Sequence, residues 1–446
     1  MIIHSYNQFH AAGHGTFFSG CLSIENTRDE NREFLWVYDC GSKRPLIIPT
    51  LITDMRDRAL RKHRMRRTVL NTNHIGLLCI SHFDNDHVNG LIELLGTFTV
   101  DILALPYLPF DVRLAIICNL ADENPANMEA ARFALDPGGY LALRGLRGRI
   151  NRIVMVKGGG ASAMPPGEAP PAPPLPRPGG EDAEGDVPRS LRLAIGTKPM
   201  VEDEHYDSST GMGAVTDTLD HSNAGVVEGG HWEFVFFNKN LPSGRPRITK
   251  VPLQDVQKEI AGIVQNYELS EGTPPPGMDL GSLLRQCYDN HFGKYPIDRN
   301  DISLCVLSRP LYSPSISQCS LWESPQSGLG SCHALIPAPP PSRSGLLLTG
   351  DIKLDTDTLD AMKRHFGSRW KEVWVMQIPH HGSKHSWTAP IAAMCPHQYG
   401  VLCVPDTNAG GHHPHATVLA DLESADKRTV RADYTSSIVY CFHAKR

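Results

Sequence analysis

The fold is decided by Ser81-His82-Phe83-Asp84-Asn85-Asp86-His87, which directly follows the apolar run Ile75-Gly76-Leu77-Leu78-Cys79-Ile80. Four of the six residues from His82 to His87 carry an imidazole or a carboxylate. Two carboxylates crowded into one loop repel each other without a counter-ion, so the cluster favours a bound cation over a merely solvated acidic loop. The sequence therefore predicts a metal site at the end of a buried strand.

Side chains that can bind metal also follow other apolar runs. Asp39, Asp351 and His380 each come directly after or close behind a short run of strand-forming residues. In layered α/β proteins, the loops that form active sites gather at the carboxyl ends of strands. We therefore expect these segments to meet His82 at one edge of an α/β fold.

The apolar pattern predicts the remaining elements. A β-hairpin is expected around 13–24, and strands are expected at 34–38, 75–80, 100–105, 152–156, 232–237, 303–307, 345–348, 373–376, 401–404 and 437–442. Helices are expected at 46–67, 111–135, 253–267, 280–291, 356–366 and 389–394. Residues 158–190 are rich in Pro and Gly, which predicts a flexible or polyproline-like segment; a docking site for a protein partner is the alternative.

The composition is that of an ordinary globular enzyme. The 446 residues are 41% hydrophobic and 20% charged, and the net charge of −5 gives no global attraction for nucleic acid. No run approaches the roughly 20 apolar residues that cross a bilayer, and the first residues lack the pattern of a signal peptide. We therefore expect a cytoplasmic protein without a membrane partner. The 11 cysteines form no CxxC pair, which favours buried reduced thiols.

The His82–His87 cluster resembles the metal-binding motif of the metallo-β-lactamase superfamily. That superfamily carries His-x-His-x-Asp-His, and this chain has His82-x-Asp84-x-Asp86-His87. The variant with Asp in the second position is similar to the metallo-β-lactamase domain of the ComEC competence DNA-uptake protein and its soluble relatives. Further motifs match in order: Gly13-His14-Gly15, Asp39-Cys40-Gly41, Asn300-Asp301-Ile302-Ser303-Leu304, Leu347-Leu348-Thr349-Gly350-Asp351, Ile378-Pro379-His380-His381-Gly382-Ser383 and Gly411-His412-His413-Pro414-His415.

The resemblance implies a fold and a domain plan. The fold is expected to be α/β, a four-layer αββα metallo-β-lactamase sandwich in a single domain of residues 1–446. The matching motifs lie within 1–105 and 295–446, which are expected to form its core. Residues 106–294 are expected to be a large mid-chain insertion that includes the flexible segment.

The resemblance also implies a centre of two divalent cations, Zn²⁺ or Mn²⁺. The expected ligands are His82, Asp84, Asp86, His87, Asp351, His380 and His381. His82 and Asp84 are assigned to one cation. Asp86 and His87 are assigned to the other, with Asp351 as the bridge. Because a carboxylate is a harder ligand than an imidazole, Asp84 shifts the preference of its cation from Zn²⁺ toward Mn²⁺ or Mg²⁺.

A third histidine often completes the first cation site in this superfamily. The residues of this chain that could take that place are His205, His221 and His231, none of which lies in a recognisable motif. An ordinary surface or core position is the alternative for each of them.

Supporting roles are assigned to residues beside these motifs. Asp39 and Ser383 are expected to orient ligands through hydrogen bonds. Asp86 and His413 are expected to be catalytic, with His413 protonating a leaving group or gripping a phosphate.

Several polar groups are candidates for holding an anionic substrate. Lys384, His385 and His415 are expected to bind it, and Ser386 is expected to cap a following helix. The basic cluster at 56–67 either steers a polyanion toward the site or is a solvated helix face.

Three functions are compatible with these expectations. The first is a phosphodiesterase or nuclease that uses a metal-activated water, with a phosphoester such as a nucleic acid as its substrate. The second is a hydrolase of a carbonyl substrate such as a lactone, a thioester or a β-lactam. The third is a module of a multi-component bacterial system, such as one for defence, regulated by a protein partner that binds the insertion or the Pro-rich segment.

Overall fold

The computed structural model describes most of the chain. The described residues are 2–25, 31–66, 73–108, 110–123, 128–158, 191–196, 198–199, 217–220, 224–227, 230–239, 251–252, 255–256, 258–260, 262–263, 266, 280–292, 302–311, 315–325, 333–334, 343–405 and 413–445. The Pro-rich segment lies outside them, apart from Gly158, as do His205 and His221.

Strands account for much of the described chain. They are β1 (Ile2–Phe9), β2 (Phe17–Glu25), β3 (Asn31–Cys40), β4 (His74–Cys79), β5 (Thr99–Pro106), β6 (Ile150–Lys157), β7 (Leu193–Ile195), β8 (Lys198–Pro199), β9 (Asp217–Asp220), β10 (Ala224–Val227), β11 (Trp232–Phe237), β12 (Cys305–Pro310), β13 (Ser315–Pro325), β14 (His333–Ala334), β15 (Gly345–Leu348), β16 (Val373–Gln377), β17 (Tyr399–Cys403), β18 (Arg428–Ala432) and β19 (Ser436–Lys445).

Helices connect these strands. They are α1 (Ile48–Arg66), α2 (Asn85–Val88), α3 (Leu91–Thr97), α4 (Phe110–Glu123), α5 (Met128–Leu135), α6 (Pro137–Leu143), α7 (Leu280–Phe292), α8 (Thr356–Phe366) and α9 (Ala416–Ser424).

The strands form two mixed sheets. Across the described residues, the larger sheet has 11 strands in the order β14-β13-β19-β1-β2-β3-β4-β5-β6-β9-β8. The smaller has eight strands in the order β18-β17-β16-β15-β12-β11-β10-β7. Strands β3 to β6 run parallel, as do β15 to β18, so each sheet contributes a block of parallel strands whose carboxyl ends lie together.

Three apolar cores separate four layers of structure. Strand β3 illustrates the arrangement, because side chains alternate between the two faces of a strand. Trp36 and Tyr38 pack between the two sheets, together with Phe234 of the smaller sheet. Val37 packs on the opposite face against the outer helices, which include α3 and α4. A third core packs α8 and α9 on the outer face of the smaller sheet. The protein is therefore an α/β sandwich with helices outside both sheets.

Most of the elements expected from the sequence are present, including the hairpin of β1 and β2. Strands β12 and β15 pair with each other, as their patterns indicated. The helix expected at 111–135 is two helices, α4 and α5, and the one expected at 253–267 lies partly outside the described residues.

The helix expected at 389–394 is wrong, because only a single 3₁₀ turn at Ala392–Met394 forms there. The Asp421 carboxylate explains this difference. It accepts hydrogen bonds from the indole of Trp387 and from the backbone N–H groups of Ile391 and Ala392. A contact with a distant helix thus determines the backbone here, against the local propensity.

Residues 106–294 contribute to both sheets. β6, β8 and β9 extend the larger sheet, and β7, β10 and β11 extend the smaller one. The division into a core and an insertion stays a prediction. None of the described helices is long and apolar enough to span a bilayer.

The buried carboxylate of Glu233 gives the first testable prediction. It is 1% exposed and pairs with Arg309 and, at 2.8 Å, with Nε of Arg369. Removing one partner of a buried ion pair leaves the other charges uncompensated. We expect Glu233→Ala to lower the free energy of unfolding by about 3–5 kcal/mol in urea titrations. The same change at exposed Glu423 serves as the control, and an equal loss there would contradict the role of the buried pair.

Candidate functional site

Asp39 anchors the loop that carries most of the expected ligands. It lies at the end of β3, is fully buried, and has a left-handed backbone with φ of 54°. Its carboxylate accepts hydrogen bonds from the backbone N–H and the hydroxyl of Ser81, both at 2.6 Å. It also pairs at 2.8 Å with Nδ1 of His87. One carboxylate therefore fixes both ends of the segment 81–87.

Gly41 allows this loop to pack closely on β3. A Cβ atom at this position would lie 2.4 Å from the backbone carbonyl oxygen of Asp86. The same oxygen accepts a hydrogen bond from the backbone N–H of Thr16. The Asp39-Cys40-Gly41 motif thus combines an anchor with the space that the anchored loop needs.

Asp351 reaches the site from the smaller sheet, just beyond β15. Its backbone N–H donates to the hydroxyl of Ser303 at 3.0 Å. Gly350 before it has φ of 56°, and a Cβ there would lie 2.7 Å from Cβ of Ser81. Only glycine meets both constraints without strain.

His380 and His381 follow β16 in an uncommon backbone conformation. Both are left-handed, with φ of 47° and 55°. Nδ1 of His380 pairs with Oγ of Ser386 at 2.8 Å, and Nδ1 of His381 with the carbonyl oxygen of Cys403 at 2.7 Å. Strained residues supported in this way concentrate at functional sites.

The first group of possible metal ligands is His82, His87 and Asp351, whose ligand atoms lie within 4.8 Å of one another. Nε2 of His87 is 3.3 Å from Oδ1 of Asp351, and Nε2 of His82 is 3.9 Å from Oδ2. The ligands of a four-coordinate zinc ion lie about 3.4 Å apart, so this spacing suits a cation. Asp84 lies nearby, with Oδ2 at 3.9 Å from Nε2 of His82. His380 approaches Asp351 at 3.7 Å.

The second group is His14, Asp86 and His381, also within 4.8 Å. Oδ2 of Asp86 is 3.7 Å from Nε2 of His381. This grouping differs from the expected pairing of Asp86 with His87. Successive residues of a helix point about 100° apart, so these two neighbours in α2 face different groups.

His14 is a possible ligand that the sequence analysis did not assign. It lies in the turn between β1 and β2, and its ring centroid is 4.4 Å from that of His381. The only sequence signal was a histidine flanked by two glycines. Gly13 and Gly15 both have positive φ, a backbone conformation that glycine adopts easily and that this tight turn uses.

Buried atoms in both groups fit a cation. Within the described structure, no hydrogen bond is made by Nε2 of His82, His87 or His381, nor by Oδ1 of Asp351. Nδ1 of each of these three rings is held by a hydrogen bond, which turns Nε2 toward the cluster. Buried polar atoms are normally paired, and a metal ion would supply the missing partner.

In the first group, His82 and Asp351 have protonation states that suit metal binding, whereas His87 would have to release a proton when a cation binds. Burial lowers the pKa of His82 well below its usual value, with His87 adding to the effect, so the ring is neutral. Burial alone would lower the pKa of His87, but the carboxylates of Asp351 and Asp39 raise it well above the usual value. Burial opposes ionisation of Asp351, yet His87 and His380 hold its pKa well below the usual value.

In the second group, the imidazole of His14 is neutral and the carboxylate of Asp86 is charged. Burial, His381 and Lys43 lower the pKa of His14 to about 2. Burial opposes ionisation of Asp86, but His381 and His87 lower its pKa. Neutral imidazole and ionised carboxylate are the forms that bind divalent metals.

His413 faces both His380 and His14, with ring centroids 5.5 and 5.7 Å apart. Burial and the nearby His380 and His381 lower its pKa to about 4. Its ring is therefore neutral at pH 7. In this form it can donate or accept a hydrogen bond with a substrate but is a poor proton donor.

The other assigned residues divide into exposed and structural groups. Lys384 and His385 are exposed and closely follow the turn that carries His380 and His381. Oγ of Ser383 accepts from the backbone N–H of His385. Nδ1 of His415 accepts from the backbone N–H of Thr417 and so caps α9.

The expected helix cap at Ser386 is wrong. The described residues 387–391, which follow it directly, form no helix, and its hydroxyl orients His380 instead, which is the role expected of Ser383. His231 lies beside Leu311, at the opposite end of β11 and β12 from Ser303, and so joins neither ligand group. Of the basic cluster at 56–67, the side chains beyond Asp57 lie outside the described residues.

Comparison with known proteins gives no identification. No protein-family model matches the sequence, and no curated protein is significantly similar to it. The functional argument therefore depends on the residues of the site.

Asp39 gives the second prediction. Asp39→Asn keeps the shape of the side chain but removes the charge that orients His87, so metal affinity should fall about 10–100-fold. Competition with a chromogenic chelator measures this affinity, and Asp136→Asn, which alters a helix cap in the outer layer, is the matched control. Equal affinity in Asp39→Asn and the wild type would contradict the anchoring role.

Proposed function

We propose that this chain is a hydrolase of the metallo-β-lactamase superfamily that binds two divalent cations and cleaves phosphodiesters. The two-sheet sandwich with helices on both outer faces is compatible with the αββα fold of that superfamily.

One observation carries the proposal. Four histidines from two segments are each held through Nδ1, by Ser81, Asp39, Ser386 and a backbone carbonyl. Their Nε2 atoms lie near the carboxylate of Asp351 or, for His381, of Asp86. A purely structural cluster would use these nitrogens in hydrogen bonds with one another. Histidines oriented through one nitrogen with the other directed inward are typical of metal ligands.

The residues divide between two cations. His82, His87 and Asp351 would hold one, with Asp84 beside it, and His14, Asp86 and His381 would hold the other. When bound, such a pair of cations lowers the pKa of water and stabilises negative charge on the attacking and leaving oxygens. Asp39 keeps His87 in place, while Ser303 keeps Asp351 in place.

Lys43 supports the proposal that the substrate is an anion. Its exposed ammonium donates to Nε2 of His14 at 2.7 Å. A cation held by this nitrogen would displace Lys43, whose ammonium would then face the substrate beside the site. Together with Lys384, it would neutralise the phosphodiester charge.

A carbonyl substrate is the second candidate. Each ligand group contains two histidines, and imidazole-rich sites suit zinc. Lactones, thioesters and β-lactams are substrates of this chemical class. The proposal of a partner-regulated module depends mainly on the Pro-rich segment, which lies outside the described residues.

The third prediction concerns metal content and turnover. Purified protein should bind about two divalent ions per chain and hydrolyse bis(p-nitrophenyl) phosphate with added Mn²⁺ or Zn²⁺. Asp86→Ala and Asp351→Ala should reduce hydrolysis to the buffer rate and lose bound metal, while Asp357→Ala on the exposed face of α8 should change neither.

Each outcome of this experiment decides something different. Unchanged metal content in both site variants would contradict the ligand assignment. Bound metal without phosphodiesterase activity, together with hydrolysis of a lactone or thioester, would favour the carbonyl candidate.

The fourth prediction concerns Asp84. Asp84→His replaces a hard oxygen ligand with imidazole, so the ratio of Zn²⁺ to Mn²⁺ affinity should rise while the far-ultraviolet circular dichroism stays unchanged. Parallel titrations with the two metals measure this ratio. If the ratio stays at the wild-type value, Asp84 does not set the metal preference.

A further inference from the structure

A separate group of ligand-type residues lies among the outer helices. Cys287 and His291 belong to α7, and Glu259 belongs to the helical residues 258–260. One ligand atom from each residue lies within 4.8 Å of the other two. The group shares no residue with the candidate site.

The helix geometry brings these side chains together. Residues four positions apart lie on one face of a helix, so Cys287 and His291 point in the same direction. The segment that carries Glu259 is held opposite them, because Val256 and Ile260 are buried in the same core as Cys287. The position of the group therefore depends on packed elements and not on a loose surface loop.

The three residues differ in their exposure to solvent and in their protonation. Cys287 is 2% exposed and His291 is 8% exposed, whereas the side chain of Glu259 is 46% exposed. Nε2 of His291 lies 2.8 Å from Oε2 of Glu259. Burial and the neighbouring carboxylate of Glu259 raise the pKa of the Cys287 thiol to about 12. Without a cation, the group is thus a protonated thiol beside a histidine–carboxylate pair.

We propose that Cys287, His291 and Glu259 form a third metal site, selective for Zn²⁺. A thiolate, an imidazole and a carboxylate are the three ligand types that zinc takes in proteins, and the thiolate disfavours Mg²⁺ and Mn²⁺. Binding transfers the thiol proton to solvent and forms a zinc–sulfur bond. Because Glu259 is the most exposed of the three residues, water could supply a fourth ligand from its side. The bound ion links α7 to residues 258–260.

This site is distinguishable from the candidate catalytic centre by its sulfur ligand. Both groups of the candidate centre consist of histidine and aspartate. Only a cysteine site gives the thiolate-to-cobalt charge-transfer band when Co²⁺ replaces Zn²⁺. The proposal therefore stands or fails independently of the proposed hydrolase activity.

The experiment is a Co²⁺ titration of the full, metal-stripped chain, followed by near-ultraviolet absorption. We expect the charge-transfer band in the wild type and in Asp351→Ala, and its loss in Cys287→Ser. Cys395→Ser is the matched control, because it removes another buried cysteine and should retain the band. A wild type without the band, or a Cys287→Ser variant that keeps it, would overturn the site.

A second variant tests the other ligands and covers the case in which Cys287→Ser fails to fold. His291→Ala should weaken Co²⁺ binding at the charge-transfer band at least tenfold, and zinc should raise the melting temperature of His291→Ala less than that of the wild type. Unchanged Co²⁺ affinity in His291→Ala would show that the pair with Glu259 is only a salt bridge.

Discussion

The buried carboxylate of Asp39 is the interaction on which the site depends. It joins strand β3 to the loop after β4 through Ser81 and holds His87 by its ring nitrogen. A fully buried carboxylate is costly unless hydrogen bonds satisfy it, and three groups do so here. Because one carboxylate serves both the backbone N–H of Ser81 and the ring of His87, the fold of the loop and the direction of His87 cannot change separately.

Backbone strain is concentrated around this anchor. Among the described residues, four that are not glycine have positive φ, and three of them are Asp39, His380 and His381. Each such conformation costs on the order of 1–3 kcal/mol and persists only where its surroundings impose it. The surroundings are the carboxyl ends of parallel strands in two different sheets. The two sheets thus act as rigid supports from opposite sides of the ligands.

Local patterns predicted most of the central strands and the His82–His87 cluster, because buried strands and crowded carboxylates are properties of adjacent residues. They did not predict the strands β13 and β18. They did not predict which ligands share a group, since Asp86 and His87 diverge within a helical turn. His14 was missed as a ligand because nothing near it in sequence belongs to the cluster. Ser386 replaced Ser383 in orienting His380 for a similar reason, as the path of that loop is set by the distant Asp421.

Strand β19 lies between β13 and β1, and its residue Lys445 pairs with Ile2. During synthesis on the ribosome, β1 to β6 emerge long before β19 can join them. Until then β1 is an open edge, with backbone groups ready to pair with another chain. The ligands have the same order, because His14 and the His82–His87 loop are made first and Asp351 to His381 follow much later. The candidate ligands can therefore come together only after β15 and β16 have been synthesised.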